Sequence, residues 1–197
     1  MLPAGDRELV QIVDAAAADA ARRAGSWLKC APGCTQCCVG VFAISQLDAL
    51  RLRQGLAELA QSDPDRAASV LSRAQDAVRR LSAEFPGDAN TGILDEALEE
   101  QFENFANDEP CAALDPATGL CDLYAARPVT CRVFGPALQT ADGIGVCELC
   151  FVGASEQEIA SCVVHLDCDD MEGKLNAQAE NAAHVSGNTI VAFALAR

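Results

Sequence analysis

The sequence predicts a mainly α-helical protein, in which a shell of helices surrounds an irregular, cysteine-rich core with at most short β pieces. Two features of the composition support this fold class. Thirty-seven of the 197 residues are alanine and only nine are aromatic, which favours closely packed helices. Eleven residues are cysteine, and most of them fall outside the predicted helices. The length is that of one domain, which we expect to span residues 1–197.

Local start signals and apolar periodicity predict the helices of the first half. Asp6 is a candidate cap for the first helix, and Ser45 with Asp48 resembles a capping box before the second. Asp63 precedes Pro64, which places a cap directly before a proline at the first helical position. Apolar residues at helical spacing indicate a fourth helix. The predicted helices cover residues 6–24, 45–61, 64–84 and 92–106.

The helical periodicity is lost over residues 107–152, where turn residues and cysteines accumulate. Residues 115–119 form a predicted turn between two short extended pieces, and Pro128 is expected to open a short helix. The remaining predictions are a helix that Ser155 and Glu158 cap and that runs to about His165, a polar helix over 169–183, and a tail over 189–195 that favours a strand over a helix.

Charge and hydropathy exclude several classes of protein. The net charge is −15, with only two lysines, so a general nucleic-acid binder is not expected. No apolar run approaches the ~20 residues of a membrane-spanning helix. The first residues lack the basic and apolar regions of a secretory signal, so we expect a cytoplasmic protein. In that compartment clustered cysteines bind metal more often than they form disulfides, and their odd number also argues against complete pairing.

The densest cysteine group is a loop with the spacing Cys30-x3-Cys34-x2-Cys37-Cys38. Two to four residues between thiolates let one loop wrap a tetrahedral ion without straining the metal–sulfur bonds. Gly33 gives the backbone freedom to turn there. Because neighbouring side chains normally diverge, we expect Cys37 and Cys38 to serve two sites, or one of them to be a packing or reactive thiol.

Further cysteines follow with the spacings Cys111-x9-Cys121-x9-Cys131 and Cys147-x2-Cys150. Tetrahedral sulfur ligation suits both zinc and iron–sulfur clusters, so both cofactors stay open. A redox role for Cys147 and Cys150 is less favoured, since no thioredoxin-like βαβ pattern surrounds them. Nine candidate ligands result, enough for two four-thiolate sites or for one cluster and one zinc ion: Cys30, Cys34, Cys37, Cys38, Cys111, Cys121, Cys131, Cys147 and Cys150.

These motifs resemble the YkgJ family of small bacterial and archaeal cysteine-cluster proteins, which are described as zinc- or iron-chelating. The resemblance lies in the Cys30–Cys38 knot and in the run Cys111-x2-Leu114, Gly119-x-Cys121-x2-Tyr124-x2-Arg127-Pro128-x2-Cys131-Arg132-x-Phe134. This chain has three residues rather than two between Cys30 and Cys34. The resemblance implies a metal or cluster site at Cys34, Cys37, Cys38, Cys111, Cys121 and Cys131. Flagellin lysine methylases contain a related cysteine arrangement.

Four residues of the second motif have expected roles near the thiolates. Arg127 and Arg132 either donate hydrogen bonds to sulfur, which would offset the negative charge of a thiolate site, or form ordinary salt bridges with carboxylates. Tyr124 and Phe134 are expected to pack over the site and keep water out.

The histidines and the last two cysteines are weaker candidates. Cys162 and His165 lie on an apolar helical stretch, so core packing is at least as probable for them as a further site with Cys168. His184 has no partner nearby in the sequence, and we expect it at the surface.

We therefore expect a metal-binding protein that holds zinc or an iron–sulfur cluster, and we expect neither nucleic acid nor a membrane as partner. The ion either holds the irregular middle segment in place or serves redox, sensing or cluster transfer. The alternative is an iron–sulfur-dependent enzyme or redox protein. It depends on the distant likeness to flagellin lysine methylases, because the chain lacks a Ser/His/Asp arrangement and a nucleotide motif.

Overall fold

The computed structural model describes residues 1–140, 143–166 and 170–197. Helices cover 52% of the described residues, and the described strands form short two-stranded antiparallel sheets. This architecture confirms the predicted fold class. No described helix combines the length and the apolar composition needed to cross a membrane.

Eight α-helices occur in the described residues: Asp6–Ala24 (α1), Gln46–Ser62 (α2), Pro64–Leu81 (α3), Glu99–Glu103 (α4), Val129–Val133 (α5), Glu156–Ala160 (α6), Met171–Ala183 (α7) and Val191–Leu195 (α8). The described strands are Gly87–Asp88 (β1), Ile93–Leu94 (β2), Leu114–Asp115 (β3), Leu120–Cys121 (β4), Leu138–Thr140 (β5) and Gly143–Gly145 (β6). They pair as β1 with β2, β3 with β4, and β5 with β6. Short 3-10 helices cover Gly25–Trp27, Gln36–Cys38, Glu96–Leu98 and Tyr124–Ala126.

The chain folds into two compact units. The larger unit contains residues 1–3, 33–128 and 174–197, and the smaller unit contains residues 4–32 and 129–173. A single domain over residues 1–197 stays a prediction.

In the larger unit, α2, α3 and α8 pack against one another around an aliphatic core. Ala112, Ala113 and Leu123, which flank the β3–β4 hairpin, are buried in the same core. Cys111 and Cys121 are partly buried against it. The helical core therefore fixes the position of the hairpin and of its two cysteines.

The side-chain caps at the starts of α2 and α3 confirm the predictions for these helices. The Ser45 hydroxyl accepts a hydrogen bond from the Asp48 amide at 3.1 Å, and the Asp63 carboxylate accepts one from the Arg66 amide at 3.1 Å. Helix α3 ends at Leu81 rather than at 84. Helix α1 has the predicted bounds, but Asp6 is its first residue and not its cap.

The predicted helix over 92–106 is wrong in its first turn and in its last three residues, since α4 ends at Glu103. Ile93 and Leu94 form strand β2, and the Leu94 amide donates to the Asn188 carbonyl at 2.8 Å. The Asp95 carboxylate then accepts from the Ala97 amide, so helical structure begins only at Glu96. The periodicity could not reveal this strand, because the apolar spacing fits a helix. Hydrogen bonds to distant residues place Ile93 and Leu94 in a strand instead.

The expected strand at 189–195 is also wrong for most of its length. Thr189 pairs with Ile44 in an isolated antiparallel bridge, but Val191–Leu195 form α8, in which every side chain is buried. A short run that is apolar on all sides has no periodicity to separate strand from helix, and packing against α2 and α3 decides the outcome.

In the smaller unit, α1 packs against α5, and the β5–β6 pair follows. The predicted capping box of Ser155 and Glu158 is present at the start of α6. This helix ends at Ala160 and not near His165, because Val163 pairs with Ala137 in a parallel bridge. The predicted start of the polar helix at 169 lies outside the described residues; the described helix α7 ends at Ala183, as expected.

Candidate metal centre

In the larger unit, the first cysteine loop reverses direction between Gly33 and Cys38. Gly33 has a φ of +88°, in the region that favours glycine, and a 3-10 helix follows over Gln36–Cys38. The Cys38 amide donates to the Thr35 carbonyl at 2.8 Å. Cys34, Cys37 and Cys38 are all partly exposed on this loop.

Backbone hydrogen bonds join this loop to the segment that leads into the β3–β4 hairpin. The Cys111 amide donates to the Cys38 carbonyl at 2.8 Å, and the Gly40 amide donates to the Glu109 carbonyl at 2.9 Å. Between them, Val39 and Pro110 form an antiparallel bridge. Residues about seventy positions apart in the sequence are thereby placed side by side.

The hairpin brings its second cysteine back to the same place. Cys121 on β4 pairs with Leu114 on β3, and the Leu114 amide donates to the Cys111 carbonyl at 2.9 Å. The turn contains Gly119 at a φ of +69°, where a Cβ atom would lie 3.5 Å from the Gly33 Cα. The tip of the hairpin therefore lies against the first cysteine loop.

Four cysteines lie where the loop and the hairpin join, near enough for the charge of one thiolate to shift the pKa of another: Cys37, Cys38, Cys111 and Cys121. Their negative charges act on one another when the thiols ionise. The thiols of Cys37 and Cys38 also share a hydrogen bond. The two side chains therefore interact within the 3-10 turn. That they serve two sites, or that one of them is a packing or reactive thiol, stays a prediction.

The four thiols differ in acidity. The pKa of Cys37 is lowered to about 6 because the Cys38 thiol donates a hydrogen bond to it. The pKa of Cys38 is raised, first by this hydrogen bond and then by burial and by the charge of the other thiolates. Burial raises the pKa of Cys111 to about 11 and also raises the pKa of Cys121.

The chemistry of this donor set fits a thiophilic metal. Thiolate sulfur suits zinc and iron–sulfur clusters, whereas calcium and magnesium require oxygen ligands. Within the part of the chain that the structure describes, no three His, Cys, Asp or Glu side chains already stand at the spacing that holds an ion.

The other four candidate ligands lie in the smaller unit. Cys147 and Cys150 are buried in an apolar cluster, and the Cys150 amide donates to the Cys147 carbonyl at 2.8 Å. The Cys150 sulfur accepts a hydrogen bond from the Lys29 amide at 3.4 Å. Cys30 is exposed next to Lys29, and Cys131 lies partly buried on α5.

The weaker candidates have different surroundings. Cys162 is buried in the same apolar cluster as Cys147 and Cys150, which is the environment expected for a packing thiol. His165 is exposed, and Cys168 lies outside the described residues. His184 is exposed, as predicted.

The arginines and aromatic residues of the second motif have surroundings that bear on their expected roles. The Arg132 guanidinium donates to both oxygens of the Asp14 carboxylate at 3.0 and 2.9 Å, which is the salt-bridge alternative. Arg127 lies over the Tyr124 ring at 3.9 Å, and its charge lowers the pKa of Cys121, although burial has the larger and opposite effect. Tyr124 is 64% exposed and Phe134 is 47% exposed, so the expectation that they seal a site from water is wrong.

Sequence reasoning missed three charged residues that support the hairpin. Asp122, directly after Cys121, forms ion pairs with Arg66 and Arg73 of α3. The available signal was the seven-residue spacing of the two arginines, which places both on one face of the helix.

A comparison with protein families agrees with the thiol set. The family model CxxCxxCC, described as "Putative zinc- or iron-chelating domain", matches residues 29–151, which is more than half of the chain. This match confirms the resemblance to a cysteine-cluster family and extends over the helices between the two motifs. We found no match among curated proteins and none among solved structures.

Proposed function

Because the chain belongs to the CxxCxxCC family of zinc- or iron-chelating domains, we propose that it binds zinc or an iron–sulfur cluster through clustered cysteine thiolates. The observation that carries the proposal is the convergence of four thiols from segments far apart in the sequence. Cys37 and Cys38 come from the loop, whereas Cys111 and Cys121 come from the hairpin. Four thiolates complete a tetrahedral zinc site and equally satisfy an iron–sulfur cluster.

In the larger unit the proposed ligands are these four thiolates, with Cys34 on the same loop as a fifth candidate. When bound, the metal supplies a cross-link between the loop and the hairpin. The thiols must lose their protons and draw closer to the ion, so binding releases protons.

We assign the remaining candidates, Cys30, Cys131, Cys147 and Cys150, to a second thiolate set in the smaller unit. The turn between Cys147 and Cys150 has the two-residue spacing of zinc-binding turns. The amide hydrogen bond to the Cys150 sulfur supports this role, because such donors orient and stabilise thiolate ligands.

A second candidate function is that of an iron–sulfur redox protein or enzyme, distantly like flagellin lysine methylases. The partial exposure of Cys34, Cys37 and Cys38 supports it. A cluster that exchanges electrons or contacts a substrate needs an edge near the surface, whereas a structural zinc ion needs only a closed site.

We propose a cytoplasmic location for the protein. The cysteines are clustered and odd in number, which suits metal binding in a reducing compartment, where disulfides are rare. The net charge of −15 makes nucleic acid an unfavourable partner, which leaves the metal ion or cluster as the proposed partner.

The test of metal binding is elemental analysis of the protein purified without oxygen and without chelators. We expect about one to two metal sites per chain, at about four thiolates for each site. That is about one to two equivalents of zinc, or about two to four iron atoms for each iron–sulfur cluster. A visible absorption spectrum then separates the alternatives, since an iron–sulfur cluster is coloured and a zinc thiolate site is not. Protein that contains neither metal would contradict the proposal.

Serine variants identify the ligands. Cys34→Ser, Cys37→Ser, Cys121→Ser and Cys131→Ser should each lower the metal content, because serine nearly preserves the volume but removes the sulfur. Cys162→Ser is the matched control, since this buried thiol packs in an apolar cluster, and Cys168→Ser is the second control. Metal loss in the control variants equal to that in the motif variants would show that the C-terminal cysteines supply ligands.

A further inference from the structure

One arginine connects the two residues that follow two of the proposed ligands. Arg73 lies on α3, and its Nε donates to the Ala112 carbonyl at 2.9 Å. Its Nη2 donates to Oδ2 of Asp122 at 2.6 Å. Ala112 directly follows Cys111 and Asp122 directly follows Cys121, so one guanidinium sets the spacing between the two segments that carry these thiols.

The acceptor on the hairpin is a buried carboxylate that depends on its partners. The Asp122 side chain is only 2% exposed, and its second oxygen accepts from Arg66. The Asp122 amide donates to the Ala113 carbonyl at 2.8 Å, which closes the hairpin on the same side. A buried charge that loses a partner is destabilised, so Arg66 and Arg73 together keep Asp122 in this position. Arg73 additionally binds the Ala112 carbonyl, which ties Asp122 to the segment that carries Cys111.

The helix that supplies Arg73 is itself rigid. Asp63 caps its first turn, and Val70 and Ala74, one turn before and next to Arg73, are buried in the aliphatic core. Arg73 therefore attaches an otherwise irregular hairpin to a helix that is packed in the core. Its planar fork reaches two acceptors at once, which a lysine ammonium does not do with the same geometry.

Charge gives the same residue a second effect. A set of four thiolates around a divalent ion is negative overall, and the Asp122 carboxylate adds a negative charge in the residue next to Cys121. The two guanidinium groups neutralise Asp122. Residues that orient ligands and balance their charge commonly contribute about 10–100-fold to metal affinity.

We propose that Arg73, acting through Ala112 and Asp122, is a positioning residue that holds Cys111 and Cys121 at the separation needed for metal binding. This inference rests on the proposed function, in which both cysteines are ligands.

The experiment compares the zinc affinity of the full chain and three variants by competition with a chromophoric chelator. We expect Arg73→Gln to bind zinc about 10–100-fold more weakly than the unaltered chain. Arg73→Lys, which keeps the charge but not the fork, should recover part of the loss. Arg79→Gln is the matched control, because Arg79 lies on the same helix and pairs only at the surface with Asp76. The absorption spectrum of the Co²⁺-loaded chain reports the thiolate geometry, which a loss of overall stability alone does not alter.

Helical circular dichroism of chelator-treated samples shows whether each variant is folded, and Arg73→Lys carries the test if Arg73→Gln does not fold. Zinc affinity and a Co²⁺ spectrum equal to those of the Arg79→Gln control would overturn the positioning role while leaving metal binding intact. Failure of the unaltered chain to bind zinc, cobalt or iron would overturn the proposed function and this inference with it.

Discussion

Cys37 and Cys38 are adjacent in the sequence, yet their pKa values shift in opposite directions because the two thiols share one hydrogen bond. The pKa of Cys37 is lowered to about 6 by the Cys38 thiol, whereas burial raises the pKa of Cys111 to about 11. A thiolate reacts with alkylating agents and a thiol does not. In chelator-treated protein at pH 7 we therefore expect iodoacetamide to modify Cys37 first and Cys111 much more slowly, as measured by peptide mass spectrometry.

The pH dependence of this reaction follows from the sign of the shift. Because the pKa of Cys37 is lowered, the thiolate is present at pH 7 and is lost as the pH falls through about 6. Cys38→Ser, which replaces the thiol donor, should change the midpoint of the Cys37 reaction. Equal reaction rates of Cys37 and Cys111 across this pH range would contradict the shared hydrogen bond.

At the residue scale, the sequence was sufficient to select the candidate thiols but not their arrangement. The spacing of Cys34, Cys37 and Cys38 indicates a metal loop by itself, since ligand spacing within a loop is a local property. The arrangement of Cys37 and Cys38 depends on the 3-10 turn and on backbone pairing with residues 109–111. The proposed role of Arg73 depends on the approach of α3 to a hairpin that is distant in the sequence. The sequence shows that Arg73 is charged but not which acceptors it reaches.

At the scale of elements, α2 approaches the 3-10 helix Tyr124–Ala126 so closely that only glycine fits at the contact. A Cβ atom on Gly55 would lie 2.3 Å from the Ala126 Cβ, far inside the usual carbon–carbon contact distance of about 3.5–4.0 Å. Alanine normally stabilises a helix interior relative to glycine, but here the steric overlap outweighs that gain and makes the substitution destabilising. We expect Gly55→Ala to destabilise the chelator-treated protein by about 1–3 kcal/mol, as measured by urea unfolding.

The double variant Gly55→Ala with Ala126→Gly is the control for this contact. It removes the second methyl group of the overlapping pair, so the two substitutions should be strongly non-additive and the double variant more stable than Gly55→Ala alone. A Gly55→Ala protein as stable as the unaltered chain would show that α2 and the 3-10 helix are further apart.

The accuracy of the predicted elements depends on how local their determinants are. Helices α2 and α3 were predictable because Ser45 and Asp63 cap them within one turn. The strand Ile93–Leu94 and the helix α8 were not, because pairing with Asn188 and packing against α2 and α3 determine their conformations. The partners that fix the backbone of these residues lie far away in the sequence.

At the scale of the whole molecule, two kinds of structure contribute to stability in different ways. The α2, α3 and α8 core buries aliphatic side chains and needs no ion to do so. Residues 107–128 contain short pairs of strands and turns with few large buried groups, which supply little hydrophobic stabilisation. A structural thiolate-bound ion contributes about 10–16 kcal/mol of apparent binding energy, comparable to the whole stability of a typical domain. The order of the cysteine segments should therefore depend on the metal.

Hydrogen exchange before and after chelation tests this dependence, with each amide compared to its own metal-loaded rate. We expect faster exchange over residues 107–152 and at amides that join the loop to the hairpin, such as Cys111, whose amide donates to the Cys38 carbonyl. Amides in α2 and α3 should keep their protection, because the aliphatic core that holds them remains closed. These two helices are the internal control in every sample. Protection that stays uniform in both states would mean that the metal does not support the cysteine segments, and exchange that rises equally in α2 and α3 would mean that it supports the entire fold.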